Sequence, residues 1–376
     1  RLAPDFKTLA TYRKDNGAAT RLVCREFVML CRKLDLFTEA FVAIDGSKFK
    51  AVNNRDRNFT RAKMKRRLAE VEASIDRYLS QLASADKQER SDNKTQRLED
   101  RIAAMRKEMA RLKKLETQLL EAPDHQVSLT DPDSRSMKSR GIGIVGYNVQ
   151  TAVDTTHRLI VAHEVTNAGT DRRQLTKMAK RAKEAMGCDA LEVVADRGYY
   201  RSEEFLACDE ANITAYVPNS KTSHNAAKGL FAREDFRYIA ADDEYECPAG
   251  ERLIYRFTSH EVGKNMRRYW SSACVCCPIK SQCTTGVNRR MSRWEHEAIL
   301  EAAQTRLDNR PDAMRIRRAT VEHPFGTLKA WMGATHFLTR TLGRVATEMS
   351  LHVLAYNFKR MLKIMGAKDL IEAIRA

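Results

Sequence analysis

Leu191-Glu192-Val193-Val194-Ala195-Asp196-Arg197-Gly198-Tyr199-Tyr200 is a short apolar run, interrupted by one glutamate and cut off by an acid, a cation and a glycine. A run of this length bounded by a turn signal reads as a buried strand. Its neighbours give it a context. Arg172 to Met186 has helical spacing and stops at Gly187. Ahead of that helix, Ile144 to Val153 and Leu159 to Val165 are β-rich runs separated by Asp154-Thr155-Thr156-His157, which predicts a hairpin. Downstream come a helix from about Ser202 to Glu210 and a strand at Ile213 to Val217 that halts at Pro218. Far upstream, Phe41-Val42-Ala43-Ile44 is a second apolar run, ending on Asp45-Gly46.

Strand, hairpin, helix, strand, helix, strand is the order expected of an α/β, ribonuclease H-like mixed sheet. Asp45 and Asp196 then each end a strand, at the sheet edge where α/β proteins place their ligands. Gly46 is expected to turn the backbone away and free the Asp45 carboxylate. Alone, a strand-end aspartate is more often a turn or cap residue. Tyr199 and Tyr200 have two readings: stacking on an unpaired base, or packing the strand-helix corner.

A third acid lies in Arg318-Ala319-Thr320-Val321-Glu322-His323-Pro324-Phe325-Gly326-Thr327-Leu328-Lys329, within a helical run that starts at Asp312. If the helix continues through Pro324, Arg318, Glu322 and Lys329 fall on adjoining stretches of one face. Such a face would put a carboxylate beside cations that grip phosphates, although an Arg/Glu pair at this spacing is ordinarily a surface salt bridge. Three carboxylates of this kind suit Mg²⁺ or Mn²⁺, which take hard oxygen donors. A long amphipathic helix follows from about Thr341 to Lys363.

The formal net charge is +17 and the pI near 9.5. A polyanion is therefore the expected partner, because lysine and arginine neutralise phosphates and release counterions. No apolar stretch is long enough to cross a bilayer, and no secretory signal is present. Residues 5 to 40 read as amphipathic helices, Phe6, Leu9 and Tyr12 marking the first face. From Thr60 to Glu121, Leu68, Val71, Ile75, Leu79 and Leu82 form one helical series, and Leu98, Ile102, Met105, Met109, Leu112, Leu115 and Leu119 another. Ser84 to Asp92 is the polar turn between them, which predicts an inserted antiparallel helical hairpin. From 55 to 122 there are 18 Lys/Arg against 12 Asp/Glu, so the hairpin is a candidate contact for DNA or a second subunit as well as a solvated spacer.

Residues 219 to 312 read as loop-rich and aromatic. They hold Cys247-Pro248-Ala249-Gly250 and Cys274-Val275-Cys276-Cys277-Pro278, followed by Cys283. Nine cysteines without a secretory signal argue for reduced thiols or a metal site rather than disulfides. Cys247, Cys274, Cys277 and Cys283 are the candidate ligands for a structural Zn²⁺, with Cys276 the extra. Unliganded thiols and an iron-sulfur cluster are the other readings. Cys24 and Cys31 lie seven apart on an apolar helical face and read as core.

The segments around Asp45, Asp196 and Glu322 together resemble the DDE transposases of bacterial insertion sequences, in the group whose glutamate follows the pattern Tyr-x-x-Arg-x-x-x-Glu-x-x-x-x-x-x-Lys. Arg318, Glu322 and Lys329 match in register; Arg315 stands where the pattern has tyrosine. The resemblance runs from Ala3-Pro4 to the final helix. It implies a cytoplasmic, nucleoid-associated bacterial enzyme that cleaves and joins double-stranded DNA as a homo-oligomer. Asp45, Asp196 and Glu322 would hold Mg²⁺ or Mn²⁺, and Arg318 and Lys329 would grip phosphate. Residues 1–40 would be a helical lead-in, 41–59 and 128–218 the catalytic core, 60–127 the hairpin insertion, 219–312 the Cys-rich insertion, and 313–376 the C-terminal helical part of the core. Such transposases carry another helical region ahead of the point where this chain starts, so Arg1-Leu2-Ala3-Pro4 predicts a missing DNA-binding or dimerisation segment. A standalone metal-dependent nuclease of the same fold and a truncated, non-catalytic DNA-binding remnant are the alternatives.

Overall fold

The apolar runs at 41 and 191 lie side by side as parallel strands at the centre of a sheet. The computed structural model describes residues 5–37, 39–53, 55–86, 92–122, 124–139, 141–219 and 225–375. The first four residues, the middle of the polar turn expected at 84–92, and the side chains of Phe6 and Leu9 lie outside the described residues.

Helices α1 (Phe6–Asp15) and α2 (Gly17–Lys33) lead into β1 (Phe41–Lys50). The expected hairpin is present as α3 (Arg61–Asp86) and α4 (Asp92–Glu121), its base tied by a ribbon of β2 (Asn58–Thr60) and β3 (Gln126–Ser128). The hairpin buries Phe59, Met64, Val71, Leu112, Leu115 and Leu119 towards that base, whereas Leu79, nearer the tip, is exposed. Next come β4 (Arg135–Ser139), β5 (Ile142–Asp154), β6 (Ile160–Thr166), α5 (Leu175–Met186), β7 (Leu191–Ala195), α6 (Ser202–Asp209) and β8 (Ile213–Tyr216). Gly187 ends α5 in the left-handed region, at φ +64°, where only a residue lacking Cβ sits without strain.

The main sheet has the order β4-β5-β1-β7-β8, with β6 also paired to β5. β1 is antiparallel to β5 but parallel to β7, and β7 is parallel to β8. β1 does not end at Asp45. Its pairing with β7 stops at Ile44 opposite Ala195, while its pairing with β5 continues to Lys50 opposite Gly146. The strand therefore loses one neighbour at Asp45 and keeps the other.

Pleating sorts the central residues onto two faces. Val42, Ile44, Val193 and Ala195 pack with α5 through Leu175, Met178, Ala179 and Ala182. Phe41, Ala43 and Val194 pack on the opposite face with Val321. Burial on both faces is why these strands read as continuous apolar runs.

The stretch expected to be loop-rich instead holds a second, antiparallel sheet. Its strands are β9 (Arg237–Ile239), β10 (Glu244–Glu246), β11 (Arg252–Glu261), β12 (Lys264–Trp270) and β13 (Met291–Trp294), followed by α7 (Glu297–Asp308). β9 and β10 are very short, and β11 exposes nearly every side chain, so no alternating apolar pattern marked them.

The chain then returns to the main sheet as α8 (Ala313–Gly326), passing through Pro324, and continues as a π-helical turn over Thr327–Trp331. Pro324 brings no N–H, and five residues beyond Thr327 the Met332 N–H donates to the Thr327 carbonyl at 3.0 Å, so the ladder widens here. α9 (Leu342–Met365) covers the sheet with Val345, Met349, Val353 and Tyr356, and α10 (Ala367–Arg375) closes the described chain. Cys24 and Cys31 are buried where α2 meets this part of the core, and burial pushes their thiols up to about 11 and about 12. Among the described residues, no helix is long and apolar enough to cross a membrane.

Candidate active site

Asp45 and Asp196 each stand one position past the last paired residues of two parallel strands, Ile44 and Ala195. Counting along the pleat from Ala43 and Val194 puts both acids on the face covered by α8. They meet a cation there. Arg317 Nη2 lies 2.6 Å from Asp45 Oδ1 and 3.5 Å from Asp196 Oδ2. Arg317 belongs to the buried stripe of α8, four residues after Ala313 and four before Val321. Its Nε is buried without a hydrogen-bond partner among the described residues.

The Asp45 side chain is 21% exposed and that of Asp196 46%, so the pair opens from the core towards solvent. Burial pushes the Asp45 carboxyl up to about 6; Arg317 pulls it down, while the Asp196 and Asp171 carboxylates raise it further. Backbone N–H groups fix both acids, Gly46 N donating to Asp45 Oδ1 at 2.9 Å and Gly198 N to Asp196 Oδ1 at 2.8 Å. Asp196 thereby caps the single helical turn Arg197–Tyr199.

A polar layer underlies this edge on the α5 side of the sheet. Asp171 accepts from Asn148 Nδ2 at 2.7 Å, Gln150 Nε2 at 2.6 Å and Lys48 Nζ at 3.1 Å. Gln150 Oε1 in turn accepts from the Tyr199 hydroxyl. Gly46 lies directly over this layer: a Cβ there would meet Gln150 Nε2, and would stand 2.6 Å from Asp171 Oδ1. Close approach, rather than a turn, is what the glycine provides.

Tyr199 is 1% exposed and hydrogen-bonded within this layer, which removes it from any base-stacking role and supports its packing reading. Tyr200 packs edge-on against Phe205, their ring centroids 5.2 Å apart. Arg317 and Asp171 were missed in the sequence. An arginine inside the apolar stripe of α8 was a readable signal; Asp171, in the connection between β6 and α5, offered none.

Lys329 comes to the same strand as Asp45. The π-helical turn carries it against β1, where Nζ donates to Ser47 Oγ at 2.6 Å and to the Lys48 carbonyl at 3.1 Å and lies 4.3 Å from the Phe49 ring centre. The expected common face is therefore broken: Lys329 turns onto β1, whereas Arg318 and Glu322 are exposed on α8. His323, beside Glu322, pairs with the Tyr356 hydroxyl at 2.9 Å and ties α8 to α9. No group of three or more His, Cys, Asp or Glu side chains among the described residues is placed to hold a metal ion. Asp45 and Asp196 are brought together; Glu322 is not joined to them, and Cys247, Cys274, Cys277 and Cys283 are free thiols not yet closed around a common point.

A family model described as "Transposase DDE domain" matches residues 115–358, more than half of the chain. The chain belongs to the DDE transposase family. The matched part of this DDE domain contains Asp196, Arg317, Glu322 and Lys329, while Asp45 lies ahead of it. Comparison with curated proteins gave no match. Among solved structures, this chain is similar to the cryo-EM structure of a piggyBac transposase synaptic complex with hairpin DNA. That similarity covers 64% of this chain and 52% of the other, at 6% identity and a TM-score of 0.21, and carries no argument about the fold. The chain thus spans about half the length of that structure's chain.

Proposed function

We propose that this chain is the DNA-cleaving and strand-joining transposase of a bacterial insertion sequence, built on a ribonuclease H-like core. The reading rests on one observation: two aspartates from adjacent parallel strands converge on a single guanidinium at the edge of the sheet. Family membership supports it, and so does the strand order, with its antiparallel neighbour on one side of β1 and parallel neighbours on the other.

The donor set fits Mg²⁺ or Mn²⁺. Both aspartates offer hard oxygens, and the positive charge of Arg317 already occupies the point they share. In this reading Asp45 and Asp196 hold the metal, and Glu322, exposed on the helix that carries Arg317, is the third acid, which must turn towards them when the metal binds. Bound there, divalent metal supplies the charge that activates an attacking oxygen and stabilises the leaving oxygen of a phosphodiester. The protein contributes position. Backbone N–H groups orient Asp45 and Asp196, and the layer around Asp171 keeps β1 in place beneath them. Lys329, held at Ser47, and the exposed Arg318 meet phosphates beside the scissile bond. The basic surface, the hairpin of α3 and α4 included, binds the double-stranded element ends and target, with two subunits joining two ends. The core then comprises 41–59, 128–218 and 313–376, with 1–40 leading in and 60–127 and 219–312 as insertions.

Replacing Asp196 with asparagine tests the reading. The variant should bind DNA as tightly as the parent and lose Mg²⁺-dependent cleavage; retained cleavage would overturn the assignment. An assay with 3′-hydroxyl DNA ends separates a transposase, which joins them to a target, from a nuclease, which only cuts.

A further inference from the structure

The second sheet has a core too small to account for the stretch that hangs from it. Phe236, Tyr245, Leu253, Tyr269 and Met291 form its buried hydrophobic cluster, and Trp294 is buried beside them in β13. Between β12 and β13 the chain runs from 271 to 290 with only two single helical turns, Ser272–Cys276 and Lys280–Gln282. Ser271 is the one buried residue of that stretch, and its valines, Val275 and Val287, are 65% and 71% exposed. A long connection without an apolar anchor needs another fastening, and small modules commonly take theirs from a metal or a disulfide. All nine cysteines of the chain are unpaired.

Four of them gather at this place. Cys247 and Cys283, from opposite ends of the sheet's sequence, pack against the same aromatic cluster. Cys247 opens a tight turn in which Gly250 N donates to the Cys247 carbonyl at 2.8 Å, with Gly250 at φ +79°. Cys277 and Cys283 bracket a second turn, Lys280 N donating to the Cys277 carbonyl at 3.2 Å and Cys283 N to the Lys280 carbonyl at 3.0 Å. Gln282 holds this turn to the body of the sheet, its carbonyl accepting from Phe231 N at 2.8 Å. The turn Ser272–Cys276, which carries Cys274, lies against the turn Lys280–Gln282 that leads into Cys283. Cys276 stands apart: it is exposed, with its thiol directed to the Ala273 carbonyl at 3.6 Å.

We propose that Cys247, Cys274, Cys277 and Cys283 form a structural Zn²⁺ site that fastens the 271–290 stretch to the second sheet. Two backbone turns present the sulfurs from separate parts of the chain, an arrangement that suits tetrahedral thiolate ligation. The side chains must close inwards for that, since they are not yet placed to chelate. Binding Zn²⁺ replaces four S–H protons, which pass to solvent, and leaves a tetrathiolate centre with a net charge of −2. Arg289, packed on the Phe236 ring at 5.1 Å, offsets part of that charge. The site is independent of the acids on the main sheet, so either reading can fail without the other.

The test is metal content of the whole chain purified under reducing conditions, followed by Co²⁺ titration of the metal-stripped protein. Expected are about one zinc per chain, released by a thiol-modifying reagent, and the visible absorption of a tetrahedral thiolate–Co²⁺ centre. C276S should keep both signals, whereas C277S and C283S should lose them. Because the latter variants risk misfolding, the wild-type Co²⁺ spectrum is decisive on its own. A reduced wild-type chain that binds neither metal overturns the site, as does a C276S variant that loses metal as completely as C277S.

Discussion

Arg317 Nη2 lies 2.6 Å from Asp45 Oδ1, a side-chain ion pair between α8 and the central strand with both partners mostly buried. The same nitrogen reaches Asp196, so one guanidinium balances two carboxylates that would otherwise repel each other. Replacing Arg317 with glutamine should destabilise the metal-free protein by about 2 kcal/mol, the range of hydrogen bonds to charged groups. If the cation of the reaction binds where the guanidinium sits, Mg²⁺ will raise the melting temperature of R317Q more than that of the parent. Equal Mg²⁺ effects on the two proteins would separate the metal position from Arg317.

Asp45 itself should oppose stability near neutral pH. Its folded-state pKa is raised from 3.8 to about 6, chiefly by burial, so the folded protein favours the protonated acid. The favourable contribution is complete below about 3.8 and disappears as pH rises through about 6. With divalent cations chelated, D45N should therefore be more stable than the parent at pH 7.5, by about 2 kcal/mol, with the gap closing towards pH 4. Denaturant melts across this range check it, and a gap that does not change with pH would refute the assignment of cause.

Gly46 is held to its identity by the layer beneath it. Alanine there drives a methyl group into Gln150 and Asp171, and overpacking of this kind costs about 1–3 kcal/mol. G46A should lower both the melting temperature and the cleavage rate, because the strain falls on the residue next to Asp45. Unchanged cleavage in G46A would mean that the Asp171 layer does not position the acid.

Glu322 is the sharpest test of the three-carboxylate reading. It is exposed on α8, five residues beyond Arg317. As the third acid, E322Q should cut Mg²⁺-dependent cleavage by at least about 100-fold, the usual cost of removing one charge-stabilising group from an active site. Its melting temperature should barely move, as expected of an exposed residue. A loss of cleavage below tenfold would leave the aspartates without Glu322 as their partner.

Much of this protein was legible in local sequence. Buried parallel strands announce themselves as apolar runs, α5 by its spacing and Gly187, and the hairpin of α3 and α4 by two long heptad-like series; Asp45 and Asp196 followed as the acids that end those runs. Each of these depends on near neighbours in the chain. The second sheet escaped because its longest strand is exposed on both faces and carries no period. The place of Lys329 escaped because Pro324 and the π-helical turn change the pitch of the helix that bears it.

The sequence by itself determined the central strands and the helices that flank the main sheet, and the acids that follow its two apolar runs, because burial and periodicity are written in short windows. Only the tertiary structure decided that Ile44 faces Ala195, that Arg317 bridges the two acids, and that Asp171 supports them from beneath. The first two join residues more than a hundred positions apart, through strand register and the rotation of one helix, and the third sets a connecting loop under a neighbouring strand; no local pattern carries any of them.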